Sequence, residues 1–174
     1  MTGARISFTL DDKAFVASFA KLEAGLKTGV ARAIGVALVE VTNKRFESGT
    51  DPFGQKWQPL LPAYAAIKRG PGILRASLML QRSVTFTTAG NQITVGTNRI
   101  YAAVHQFGAT IKPVNARALV FRLGMAGPRG GKSSGIVRAK SVTIPARPYL
   151  GFGPNDQRAV METLAVFIGQ TFSG

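Results

Sequence analysis

DKAFVASFAKLEAGLKTGVARAIGVALVEVTNKRF, residues 12–46, carries the longest regular apolar period in the chain. Phe15, Phe19, Leu22, Leu26, Val30, Ile34, Leu38 and Val41 recur at three- and four-residue steps, which draws one apolar stripe along a helix. The spacing predicts a single long helix over 12–46, with Asp11 or Asp12 as its N-cap. Gly25, Gly29 and Gly35 interrupt it. Each costs about 1 kcal/mol against Ala in a helix interior, so they point to a close approach of another backbone or to a bend. A helix this long with one apolar face needs a sheet or a second helix to cover it, and the flanks supply both.

Before the helix, Ile6, Phe8 and Leu10 alternate with Arg5, Ser7 and Thr9, the period of a half-buried strand. After it, residues 49–72 are punctuated by Gly49, Pro52, Gly54, Pro59, Pro62, Gly70, Pro71 and Gly72, a turn-rich segment with room for a short helix at 62–68. Ile73–Leu80 has helical spacing. Two strands at about 82–88 and 91–97 form a hairpin through Ala89-Gly90. A short helix at 100–107 ends at Gly108, and strands are expected at 109–112, 117–123 and 136–144. Between the last two lie residues 124–135, twelve residues with five glycines, read as a mobile hairpin tip. The chain closes with Pro154-Asn155-Asp156 as a cap and Val160, Leu164, Phe167 and Ile168 on one helix face. Together these elements predict one α+β domain: a mainly antiparallel sheet, a long N-terminal helix, a C-terminal helix packed on it and a long flexible hairpin loop.

Charge is distributed unevenly along this framework. Between Asp51 and Asp156 lie 104 residues without one Asp or Glu, and they contain 14 of the 22 Lys and Arg residues. The flanks are neutral, so the net charge of +14 belongs entirely to that window. Such a window attracts polyanions: nucleic acid, an acidic protein surface or a membrane surface. Metal cages for hard cations and glycosidase dyads require carboxylates that the window lacks. With no cysteine there are no disulfides, thiolate nucleophiles or Cys-based zinc sites, in keeping with a reducing cytoplasm. No apolar run approaches the roughly 20 residues needed to span a bilayer, and the first ten residues do not read as a secretory signal.

Two motifs invite a chemical reading. Residues 126–133, AGPRGGKS, fit a loosened phosphate loop. Such a loop follows a strand and opens a helix, with an acidic residue nearby for the metal. Here a strand is expected to follow and the window holds no acid, so nucleotide binding is rejected. His105, the only histidine, has neither a cysteine nor a nearby acid to orient it; it reads as a hydrogen-bonded core residue of the short helix. Trp57 reads as a core anchor or an interface hot spot. No catalytic set, cofactor site or metal site is expected, and no enzyme activity.

Four segments, taken in order, resemble the phage virion morphogenesis family, also called the tail completion family, of Mu-like and other tailed phages. They are Arg45-Phe46 followed by DPFGQKW at 51–57; ILRASL at 73–78, without the family's usual glycine before the last Leu; YAAVHQFG at 101–108; and IPARPYLG at 144–151. The resemblance spans roughly residues 45–170. It implies a late structural component of the virion, assembled in the host cytoplasm, acting at the head–tail junction as a ring of six or twelve copies. Other neck and tail proteins, and packaged DNA in the lumen, are its implied partners. Within that frame Trp57, Arg147 and Tyr149 are candidate interface residues, since Pro145 and Pro148 hold the chain around Arg147 extended; Arg147 is either an interface or internal ion-pair anchor, or a solvated charge. Arg117, Arg122, Arg129, Lys132, Arg138 and Lys140 are candidate contacts to DNA or to an acidic partner. The alternative is a stand-alone, sequence-independent nucleic-acid-binding protein acting through the basic 52–155 segment.

Overall fold

The computed structural model describes residues 4–9, 24–66, 68, 70–89, 92–126 and 132–172. Strand β1 (Ala4–Thr9) leads into helix α1, described over Ala24–Ser48; the expected first half of that helix, 12–23, and its N-cap lie outside the described residues. Two single-turn helices follow, α2 (Pro62–Ala65) and α3 (Met79–Arg82), then the hairpin β2 (Thr85–Ala89) and β3 (Gln92–Thr97). Helix α4 (Ala102–Phe107) precedes β4 (Ala109–Ile111), β5 (Leu119–Ala126), β6 (Lys132–Ala139), β7 (Val142–Ile144) and the final helix α5 (Pro154–Phe172).

The strands form three antiparallel sheets: β1-β3-β2, β4-β7 and the two-stranded β5-β6. In the first, β3 is central, with Val95 opposite both Ile6 and Phe86. Helix α1 crosses β2 and β3, and α5 packs along α1. The stripe read from the sequence faces this contact: Val30, Ile34 and Leu38 are buried with Ile93, Val95, Val160 and Leu164 in one core. Burial of each such side chain contributes about 1.5–3 kcal/mol. Thr42 lies on the same face and spends its hydroxyl on the Leu38 carbonyl at 2.9 Å, so its burial leaves no unpaired polar atom. At Gly35 the neighbour is an aromatic ring rather than a backbone: a Cβ there would sit 2.2 Å from Phe86.

Several expected elements differ. Residues 73–78 are turns, not helix, because Leu74 and Leu78 both adopt φ +59°, and only Met79–Arg82 is helical; the spacing of Ile73 and Leu74 reflects two side chains packed against the core. The expected strand 136–144 is two strands, broken at Lys140-Ser141, with β6 paired to β5 and β7 to β4. The expected tip 124–135 contributes paired residues at both ends, since the ladder runs on to Ala126 opposite Lys132; residues 127–131 lie outside the described residues. A strand therefore follows the phosphate-loop look-alike, as expected. Ile168, assigned to the buried face of the last helix, is 44% exposed, while Val160 and Leu164 are buried.

Candidate functional site

Three of the four family-like segments, 45–57, 101–108 and 144–151, meet in one place, while Ile73 and Leu74 of the remaining one pack against the hydrophobic core. Gly49, at φ +65°, ends α1 and turns the chain into residues 50–57. Asp51 organises that turn, its Oδ1 accepting from the N–H groups of Phe53 (2.9 Å) and Gln55 (2.8 Å). The turn delivers Trp57 onto the side of Phe46, with ring centroids 5.8 Å apart at 81°, and Phe46 lies 4.9 Å from the ring of Tyr149. All three rings are buried.

Residues 145–153 run through the middle as an extended strap without a strand partner, so their backbone groups need side-chain partners. Gln106 supplies three: its Oε1 accepts from Tyr149 N (3.1 Å) and Leu150 N (3.0 Å), and its Nε2 donates to the Leu150 carbonyl (2.8 Å). Trp57 Nε1 donates to the Pro148 carbonyl at 2.8 Å. Arg147 N–H donates to the His105 carbonyl (2.8 Å), while its guanidinium donates to the carbonyls of Gln58 (2.9 Å) and Pro59 (3.2 Å). Arg45 donates to the carbonyls of Tyr149 (3.1 Å) and Gly151 (3.2 Å) and closes an ion pair with Asp156. Asp156 also accepts from Gly153 N–H at 2.8 Å, the reach-back of an acidic third residue that caps α5. Gly108 ends α4 at φ +74°, and a Cβ there would meet Ala146 N at 2.8 Å. The strap thus requires glycine where it crosses α4.

The electrostatics follow from burial. Desolvation raises the Asp156 carboxyl, partly offset by Gly153 N–H and Arg45, and lowers Arg45, partly offset by Asp156. Tyr149 OH, donating to the Ala102 carbonyl at 3.4 Å, is pushed above the ordinary phenol value by desolvation first. Desolvation and then the Arg147 charge lower His105, whose buried Nδ1 has no hydrogen-bond partner among the described residues and whose ring meets Tyr101 edge-on at 5.9 Å. His105 is therefore not the hydrogen-bonded core residue expected. Arg45, Asp156 and Tyr149 hold backbone in place, and each is occupied in doing so.

Of the expected interface residues, Trp57, Arg147 and Tyr149 are 5%, 5% and 0% exposed, so within the chain they bind one another's loops. Arg147 is an internal anchor of carbonyls rather than of an ion pair. Among the expected polyanion contacts, Arg117, Arg138 and Lys140 are exposed, Arg122 and Lys132 belong to the β5–β6 ladder, and Arg129 lies outside the described residues. Arg117, Arg138 and Lys140 are not part of the cluster around Tyr149. Arg45, Gln106 and Asp156 do the holding and were not singled out as site residues. One signal was available: Asp156 is the first acid after the 104-residue gap.

The stretch of chain that holds these segments also matches known proteins. The profile of the phage virion morphogenesis family matches residues 12–168. The chain belongs to the phage virion morphogenesis family. It is similar to the Escherichia phage Mu protein that carries the provisional name capsid assembly protein G, 25% identical over 141 residues, 78% of this chain and 75% of that protein. It is also similar to the Mu-like prophage FluMu G protein 2 of Haemophilus influenzae, 29% identical over 133 residues, 76% of this chain and 72% of that one. No solved structure matches it. For a member of this family, the strap-binding cluster explains why the recognisable letters fall where they do: Phe46, Trp57, Gln106, Arg147 and Tyr149 are fixed by one another. Among the described residues, no helix is long and apolar enough to cross a membrane.

Proposed function

We propose that this chain is a structural component of a tailed-phage virion that completes the neck or tail so that heads and tails can join, and that it works as a closed ring of identical copies with the six- or twelvefold symmetry of that junction. Membership of the virion morphogenesis family over residues 12–168 carries this reading. The Mu relative's name, a capsid assembly protein, agrees with an assembly role. Physical support comes from the division of labour in the chain. Arg45, Trp57, Gln106, Arg147 and Tyr149 are consumed in locking the strap, which leaves a stable body, while the β5–β6 ribbon and the exposed residues Phe53, Leu61 and Phe107 remain available to neighbours.

The test is electron microscopy of lysates from a phage with an early stop codon in this gene. Heads and tail parts without joined particles are expected; normal numbers of joined, infectious virions would remove the head–tail assignment.

A second reading has one observation in its favour. Arg117, Arg138 and Lys140 are exposed, and no ion pair among the described residues neutralises them, so the basic window could meet packaged DNA or act as a nucleic-acid-binding surface on its own. Affinity would then be independent of sequence and fall steeply with salt as counterions are released. Titrations at several salt concentrations check this. A sequence preference that persists at high salt would contradict this reading.

A further inference from the structure

The two-stranded ribbon β5–β6 stands outside the sheet that α1 covers, and its strands pair only with each other. Its register sets Val120 opposite Arg138 and Arg122 opposite Ile136, so these four positions alternate onto one side of the ribbon. On that side Val120 is 62% and Ile136 58% exposed, with Arg138 exposed between them. Leu119, Val137 and Ala139, on the other side, are half-buried. Two exposed β-branched residues beside the Arg138 cation make a poor match for phosphate backbones, which offer no apolar surface. They match a protein surface that is both apolar and acidic.

The chain carries one such surface. All five described carboxylates lie in the second half of α1, the turn after it, or α5, and one of them, Asp156, is buried against Arg45. Glu40, Glu47 and Glu162 are exposed. They gather around Lys44, whose ammonium is raised first by its 2.8 Å pair with Glu40 and, more weakly, by Glu47 and Glu162. Among the described residues, the other exposed cations of these two helices, Arg32 one turn before Val36 and Arg158 one turn before Glu162, lie at the edges of this group, so the three carboxylates around Lys44 form a local acidic centre on a molecule of net charge +14. The same helices expose Val36, Met161 and Val166.

We propose that the Val120, Ile136 and Arg138 face of the β5–β6 ribbon docks on the exposed α1–α5 face of a second copy, with Arg138 meeting the carboxylates around Lys44. The contact is heterologous, because two different patches meet, and therefore propagates head to tail into a ring or an open filament. It rests on the reading of the protein as an assembly of identical copies and names the surfaces that such an assembly uses.

Sedimentation of the purified full chain, with charge reversals at exposed positions, tests it. Wild type is expected to self-associate, and Arg138→Glu and Glu162→Lys each to weaken association at least about tenfold through repulsion, with circular dichroism unchanged. Carrying both reversals on one chain is expected to recover association. A ribbon variant (Val120→Asp with Ile136→Asp) mixed with a helix variant (Met161→Asp with Val166→Asp) should form pairs that stop at two, since one good contact survives per pair. If wild type associates and the reversals leave it unchanged, the docking is overturned while assembly of identical copies stands. A wild type that stays monomeric at high concentration also overturns it, and the head–tail role is then judged by the lysates alone. Loss of duplex DNA binding in Arg138→Glu with no change in sedimentation overturns it in favour of a nucleic-acid contact.

Discussion

Arg45 and Asp156, 111 residues apart in sequence, form a buried ion pair that ties the end of α1 to the start of α5, while Arg45 also holds the carbonyls of Tyr149 and Gly151. Their side chains are 6% and 2% exposed. Removing one partner strands a charge in a desolvated site, which costs about 3–5 kcal/mol, whereas replacing both by apolar residues is far better tolerated. Arg45→Ala and Asp156→Ala are expected to lower stability in urea denaturation by that amount. Arg45→Met with Asp156→Leu is expected to be more stable than either. Equal loss in all three variants would contradict a net desolvation cost for the pair.

Gln106 satisfies three backbone groups of the strap at once. Gln106→Ala leaves them without those partners, at about 1–3 kcal/mol for each group that stays unsatisfied. The expected signature is a large stability loss, with faster hydrogen exchange at the amides of Tyr149 and Leu150. Unchanged exchange there would contradict the account of the strap.

Gly29 and Gly35 separate helix propensity from space. A Cβ at Gly29 finds Phe167 at an ordinary 3.7 Å, but at Gly35 it meets the Phe86 ring at 2.2 Å. Gly29→Ala is expected to stabilise by up to about 1 kcal/mol. Gly35→Ala is expected to destabilise by about 1–3 kcal/mol through overpacking. Thermal melts of the two variants give the comparison directly.

His105 supplies a pH signature. Burial, then the Arg147 charge, lowers its value in the folded chain, while in the unfolded chain it titrates near 6.5. The unfolded state therefore binds more protons in that interval, so the stabilising contribution is present above about pH 6.5 and is lost as pH falls through the lower folded value. Because His105 is the only histidine, its NMR titration is unambiguous and should fall below 6.5. His105→Gln is expected to flatten stability between pH 7 and 5. A folded value above 6.5 would contradict the burial argument.

Elements with a clear period were legible in the sequence: the Val30, Ile34, Leu38 stripe, the strand from Ala4 and the β2–β3 hairpin. Two stretches were not. At 73–78 two leucines take a left-handed backbone, against their intrinsic preference, which spacing alone cannot reveal. At 136–144 an apolar-rich run hides a change of partner, because pairing choice depends on β4 and β5 rather than on local letters. The site divided likewise. Its motifs were visible as separate strings, yet what three of them share is the strap, and a backbone held by Gln106, Trp57 and Arg45 from three directions leaves no local pattern. Trp57, Arg147 and Tyr149 stood out for their chemistry as interface candidates; in the fold that chemistry is turned inward.

A protein that joins otherwise finished parts, the role proposed for this chain, can act after those parts are made. Adding purified wild-type protein to a lysate of the stop-codon phage, and counting infectious particles, tests it most directly. The account predicts that joined particles and plaques appear in proportion to added protein without new synthesis. If separate heads and tails persist and no plaques form with folded protein in excess, the junction assignment is contradicted.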